Sequence, residues 1–131
     1  MHPDAANDLR QLMAHDNVAA GKIAALLQQA KCDPGIIGSL LDHDFGADHS
    51  TAYHVSKWSQ FWNIGYNIWR LKIWEIPKGS LPYRLVYAYE PGTLRYHVLA
   101  IAHRNFDYER DHEITKRILK TYKELGIPVH R

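Results

Sequence analysis

Residues 83–102 read YRLVYAYEPGTLRYHVLAIA, and this stretch decides the fold class. Two runs rich in Tyr, Val, Leu and Ile, at 83–89 and 94–102, flank a turn at 90–93 that contains Pro91-Gly92. Aromatic and β-branched residues favour strands, and a Pro-Gly pair suits the centre of a type II turn. Because a short turn joins antiparallel neighbours, the stretch predicts a β-hairpin.

Working outward, a third strand-like run lies at about 66–76, and a turn at 77–80 connects it to the hairpin. Upstream, apolar residues at helical spacing predict two helices that form a hairpin, with Asp16 or Asn17 capping the second. Trp58, Phe61 and Trp62 have the spacing of a short helix with one buried aromatic face. Downstream, a helix is predicted at 111–125, with Asp111 as a plausible cap.

This order of elements predicts a single α+β domain spanning residues 1–131. We expect an N-terminal helical hairpin (1–45) packed on a small antiparallel β-sheet (66–104). A loop and a short helix (46–65) connect these two parts, and a C-terminal helix (111–125) follows the sheet.

Composition indicates the cellular compartment that we expect for the protein. The longest apolar runs are far shorter than the roughly 20 residues that span a bilayer, and the polar N-terminus lacks the pattern of a signal peptide. A single cysteine, Cys32, excludes an internal disulfide. We therefore expect a cytoplasmic protein without a membrane partner.

Charge is distributed unevenly along the chain. Residues 1–53 carry a net charge of −4 and residues 54–131 a net charge of +6, with histidines neutral. A basic half suggests an anionic partner such as nucleic acid, although a solubilising surface would give the same balance.

The first predicted strand contains the sequence Ile68-Trp69-Arg70-Leu71-Lys72-Ile73-Trp74. Side chains alternate between the two faces of a strand, so Arg70, Lys72 and Trp74 share one face and Leu71 and Ile73 face the core. Two adjacent cations repel each other, and a bound phosphate would relieve that repulsion. Surface charge with salt bridges is the alternative interpretation.

Further candidates follow on the next two strands. Arg84 lies within an otherwise apolar run, and Arg104 follows His103 at the end of the third strand, with Tyr108 just beyond. Arginine binds phosphate through two parallel hydrogen bonds, and an aromatic ring can stack on an unpaired base. Because RNA carries its own nucleophile, the 2′-hydroxyl, its cleavage requires proton transfer and charge stabilisation but no metal or other cofactor.

The series Trp69-Arg70-Leu71-Lys72-Ile73, Tyr83-Arg84-Leu85-Val86-Tyr87, residues 98–104, Tyr108 and a C-terminal Lys116-Arg117-Ile118-Leu119 helix resembles the RelE family of messenger-RNA interferases. The resemblance covers residues 66–120, and the preceding helical hairpin also fits the family. It implies the toxin of a type II toxin–antitoxin system, an endoribonuclease that cuts messenger RNA on the ribosome, inhibits translation and is silenced by an antitoxin protein.

The resemblance also implies roles for individual residues. Lys72 would be the general base, with His103 as the alternative acid or base. Arg84 would stabilise charge on the scissile phosphate, and Arg104 would lie near the leaving oxygen. Tyr108 would orient the substrate nucleotide. Arg70 and His103 would contact the RNA. Independently of the resemblance, Trp74 could stack on a base of the RNA, because it shares the face of Arg70 and Lys72.

Three alternatives accompany this hypothesis. The same superfamily includes ParE, which binds and poisons DNA gyrase without hydrolysis, and a toxin fold can also persist as an inactive binding module. Asp42-His43-Asp44 with Asp48-His49 could hold zinc or manganese, but the spacing matches no fixed ligand pattern.

RelE-like chains usually begin with a strand, whereas this one starts with a helical pattern; a sheet edge left uncovered would favour pairing with a partner chain.

Overall fold

The computed structural model describes residues 1–48, 50–75, 79–103 and 113–129. Five helices lie within these ranges: α1 (Pro3–His15), α2 (Asn17–Cys32), α3 (Pro34–Ser39), α4 (Ser59–Trp62) and α5 (Glu113–Glu124). Four strands lie there too: β1 (Tyr53–Lys57), β2 (Ile68–Ile73), β3 (Tyr83–Glu90) and β4 (Arg95–His103). All four pair in the order β1-β2-β3-β4, and every pairing is antiparallel. The predicted α+β fold class is confirmed.

Local signals account for the N-terminal helices. The Asp16 side chain accepts a hydrogen bond from the Ala19 amide at 3.0 Å, so Asp16, not Asn17, caps α2. Asp33 caps α3 by accepting from the Gly35 amide at 2.8 Å. The predicted Asp111 cap of the C-terminal helix lies outside the residues that the structure describes.

The assignment of residues 46–65 to a loop and a short helix was incomplete, because β1 lies within that range and pairs with β2. Tyr53 and Val55 are buried in the core, whereas His54 and Ser56 point to the other face. This is the period-two pattern of a strand. The polar residues around it and its length of five residues conceal the pattern in the sequence.

The hairpin between β3 and β4 forms where the sequence predicts it, but its turn differs. Gly92 does not adopt the positive φ that a type II turn over Pro91-Gly92 requires; Leu94 does, with φ 56°. The loop therefore ends with an exposed leucine in the left-handed conformation.

Helices cover the two faces of the sheet unequally. One face packs on α1 and α2 through a core that contains Ile23, Leu71 and Tyr87. The other face packs on α4 and α5, where Ile118 and Tyr122 contact the β2–β4 side of the sheet. The Tyr122 hydroxyl also accepts from the Asn67 amide (3.0 Å) and donates to the Pro128 carbonyl (2.9 Å), which joins α5 to the start of β2.

Segments of the chain itself contact both outer strands. The His2 amide donates to the Val98 carbonyl on β4 at 3.0 Å. On β1, Val55 donates to the Phe45 carbonyl and accepts from the Asp44 amide, at 2.9 and 2.8 Å. These contacts occupy backbone groups that a pairing partner chain would otherwise use.

One carboxylate joins three elements of the fold. Asp8, on α1, accepts from the Ile101 amide of β4 at 3.0 Å and from both terminal nitrogens of Arg117, on α5, at 3.0 and 2.6 Å. The hydrogen bond to Asp8 is the main cause that raises the pKa of Arg117. The Asp8 side chain is only 14% exposed, so water screens the pair weakly.

Substituting Asp8→Ala should lower the free energy of unfolding by about 2–3 kcal/mol, because it leaves the half-buried guanidinium and the Ile101 amide without their acceptor. Urea unfolding followed by circular dichroism measures this loss. Glu124→Ala, which removes an exposed ion pair to Lys120, is the matched control and should cost at most about 1 kcal/mol. Equal losses in the two variants would contradict the joining role of Asp8.

Candidate active site

The half of the sheet that α5 leaves uncovered carries a polar cavity of about 340 Å³. Among the described residues, the side chains of Arg70, Lys72 and Arg84 line it, together with the carboxylate of Asp44. Cationic side chains at this density, held on strands, form a preorganised site for an anion.

Sheet register brings three of the predicted site residues together. Arg70 and Lys72 lie on the same face of β2, as predicted, while Leu71 between them is buried on the opposite face. Leu71 pairs with Leu85 across β2 and β3, so Arg84, the residue before Leu85, lies beside Lys72. The Arg84 guanidinium donates to the Leu81 and Tyr83 carbonyls at 2.9 and 3.3 Å, which fixes its position.

This clustering alters the acid–base properties of Lys72. Partial burial is the main cause that lowers the pKa of its ammonium, and the positive charges of Arg84 and Arg70 lower it further. A lysine with a lowered pKa is a better proton acceptor near neutral pH than a solvated one.

Tryptophan rings lie close to two of these three cations. The Arg70 guanidinium is 6.0 Å from the Trp58 ring centroid, and the Lys72 ammonium is 4.8 Å from that of Trp74. A π-face attracts a cation without neutralising it. The rings therefore hold the Arg70 and Lys72 side chains without adding a negative charge.

Sequence reasoning missed His54, which lies directly opposite Lys72 across β1 and β2. Its Nε2 is 3.3 Å from Asp44 Oδ1, and the other oxygen of Asp44 is 3.5 Å from His43 Nε2. Burial lowers the pKa of His54, and the charge of Lys72 adds to this effect, although the hydrogen bond to Asp44 opposes it. The alternation in Tyr53-His54-Val55-Ser56-Lys57 was the signal that could have revealed His54.

Of the remaining predicted residues, His103 lies away from the cationic cavity. His103 pairs with Tyr83, lies edge-on to its ring at 5.6 Å, and faces a separate cavity beside Asp8 and His15. The structure therefore does not bring His103 to the cationic cavity. Arg104 and Tyr108 lie outside the described residues.

The metal hypothesis for residues 42–49 is only partly covered by the structure, since His49 lies outside the described residues. Within the ranges that are described, no three His, Cys, Asp or Glu side chains are arranged to hold a metal ion. None of the helices there has both the length and the apolar character of a membrane span.

Comparison with known proteins gives no relative. No family model matches the chain, and neither a curated protein nor a solved structure shows significant similarity. Functional inference therefore depends on the geometry of the cavity and on the resemblance in sequence pattern.

We expect Lys72→Met to stabilise the fold at neutral pH. The folded state lowers the pKa of Lys72, so it binds fewer protons than the unfolded state at pH values between the folded pKa and 10.5. Wild-type stability therefore rises with pH across that window, and the charged lysine is destabilising below it.

Urea unfolding at several pH values checks this prediction. The advantage of Lys72→Met should be largest near pH 7 and should shrink as the pH approaches 10.5. Lys116→Met, at an exposed position of α5 away from the cavity, is the matched control and should show no such trend. A wild type at least as stable as Lys72→Met at pH 7 would refute the proposed charge repulsion.

Proposed function

We propose that this chain is the toxin of a type II toxin–antitoxin system, a RelE-like, metal-independent endoribonuclease. It would cleave messenger RNA, on the ribosome, and thereby inhibit translation in the cytoplasm. The observation that carries the proposal is the convergence of Arg70, Lys72 and Arg84 on one open cavity. A cognate antitoxin protein would silence it.

An RNA backbone suits this cavity for electrostatic reasons. Arg70 and Arg84 offer planar guanidinium groups, which match phosphate geometry, and Lys72 supplies a compact charge between them. The opening on the sheet surface admits a strand whose backbone passes across it. Single-stranded RNA also exposes bases for contact with side chains around the site.

The chemistry uses the substrate's own nucleophile. Lys72, as general base, takes the proton of the 2′-hydroxyl, and the O2′ atom attacks the adjacent phosphorus. Arg84 and Arg70 stabilise the negative charge that develops on the phosphoryl oxygens. The bond from phosphorus to O5′ breaks, and O5′ takes up a proton from an acidic side chain or from water. The products are a 2′,3′-cyclic phosphate, which can open to a 3′-phosphate, and a 5′-hydroxyl.

Two further roles follow from the family resemblance alone. Arg104 would lie near the leaving oxygen, and Tyr108 would orient the nucleotide. His54 is a histidine that lines the cavity, whereas His103 faces elsewhere. A histidine contribution to proton transfer is therefore better assigned to His54.

Because the proposed chemistry uses only side chains of the protein, the purified protein should also cut a free RNA oligonucleotide in EDTA, more slowly than messenger RNA on the ribosome. Arg84→Ala should lower kcat by about 100-fold or more, because it removes a preorganised charge beside the phosphate. Arg95→Ala, at an exposed position at the start of β4, is the matched control and should retain activity. An oligonucleotide with a 2′-deoxy nucleotide at the cut site should resist cleavage there. Cleavage of that bond would contradict the 2′-hydroxyl mechanism.

Cleavage of messenger RNA is tested in cells. Induction without a partner in a bacterial host should arrest growth and create new messenger ends, which primer extension detects, and Arg84→Ala should abolish both effects. Growth arrest with intact messenger would overturn the nuclease proposal and favour a ParE-like target such as gyrase. Normal growth with an intact fold, together with no cleavage in vitro, would indicate an inactive binding module.

A further inference from the structure

Trp74 is anchored on three sides at the end of β2. Its backbone amide donates to the Ala52 carbonyl at 2.9 Å, and Trp74 forms an antiparallel β-bridge with Ser80. Its indole Nε1 donates to the Gly46 carbonyl at 2.8 Å. A ring held by its own hydrogen bond and by its backbone has little freedom to reorient.

The Gly46 carbonyl is itself held in place by a strict steric requirement. Gly46 has φ +77°, a conformation that favours glycine. A Cβ at this position would collide with the Tyr53 carbonyl oxygen and press on the Thr51 hydroxyl. The loop therefore approaches β1 closely enough to present its carbonyl to the indole, and only glycine permits that approach.

Two proton-transfer candidates of the cavity contact this anchored ring. Lys72 lies two residues before Trp74 on the same face of β2, with its ammonium 4.8 Å from the ring centroid. His54, opposite Lys72 on β1, stacks nearly parallel to the indole, with centroids 5.8 Å apart and an interplanar angle of 4°. One ring thus restricts both the ammonium and the imidazole.

We propose that Trp74 is a positioning residue that holds the Lys72 ammonium and the His54 imidazole in the cavity, in place of the base-stacking role that the sequence suggests. This role rests on the proposed ribonuclease function. A base that stacked on the ring face near Lys72 would displace the ammonium, whereas a fixed ring keeps that ammonium at one location. Misplacing a catalytic group by about 1 Å can cost about 100-fold in rate.

The positioning role and the base-stacking role predict different kinetics. If Trp74 positions Lys72, Trp74→Leu should lower kcat about 10-fold or more and leave KM within about 2-fold, since RNA binding is retained. If Trp74 stacks on a base, the same variant should raise KM and leave kcat nearly unchanged. Tyr89→Leu, an aromatic substitution on the opposite face of the sheet, is the matched control and should change neither constant.

Trp74→Phe keeps an aromatic ring but loses the hydrogen bond to Gly46, and serves if Trp74→Leu does not fold. Phenylalanine attracts a cation less strongly than tryptophan, so we expect a smaller loss in kcat than for Trp74→Leu. Its kcat should therefore lie between those of the wild type and Trp74→Leu, or below that of the wild type when only Trp74→Phe folds. A kcat equal to that of the wild type would overturn the positioning role.

An NMR measurement tests the geometry without RNA. The ε-methylene protons of Lys72, assigned by comparison with Lys72→Arg, should be shifted upfield by the Trp74 ring current, and the shift should vanish in Trp74→Leu or, if that variant does not fold, decrease in Trp74→Phe. An unshifted Lys72 signal in the wild type overturns the positioning role even if the protein cleaves RNA. A shifted signal with no RNA cleavage by the wild type overturns the proposed function, and with it this role of Trp74. Cleavage by the wild type, a shifted signal and a selective loss of kcat together support the role.

Discussion

Unequal coverage of one sheet face is the constraint on which the rest of this structure depends. Strand side chains alternate between faces, so every residue of β2 and β3 must point either to α1 and α2 or to the face shared by α4 and α5. On the first face, the β2 side chains that pack against α1 and α2 are apolar, such as that of Leu71. On the second face α5 covers Val86, Ala88 and Ala102, and the side chains beyond its reach are Arg70, Lys72 and Arg84.

This arrangement places three positively charged side chains next to one another, which destabilises the folded state. Lys72 loses hydration and faces two guanidinium groups, and both effects lower its pKa. The nearby tryptophan rings attract the cations but do not neutralise them, because the rings carry no charge. Stabilising contacts elsewhere offset the cost, among them the bidentate pair between Asp8 and Arg117. Local features that lower the stability of a fold are common at functional sites.

The aromatic residues have two different roles: some pack in the core, and one contacts the charged residues of the cavity. Trp58 and Phe61 are buried, with rings 4.5 Å apart in an edge-to-face arrangement, and they form part of the core below α5, as their helical spacing predicts. Trp74 contacts Lys72 and His54, which line the cavity, and its indole is hydrogen-bonded to the loop that contains Gly46. The same residue type thus serves in the core at one position and beside the proposed general base at another.

The sequence by itself determined the α+β class, the β3–β4 hairpin, the helical hairpin and the shared face of Arg70 and Lys72, because these follow from local periodicity and turn chemistry. It did not reveal β1, whose five residues lie among polar neighbours and gain their strand conformation by pairing with β2. Only the tertiary structure therefore placed His54 beside Lys72 and directed His103 to the other face. Register between strands, which depends on contacts distant in sequence, decided which charged side chains share a cavity.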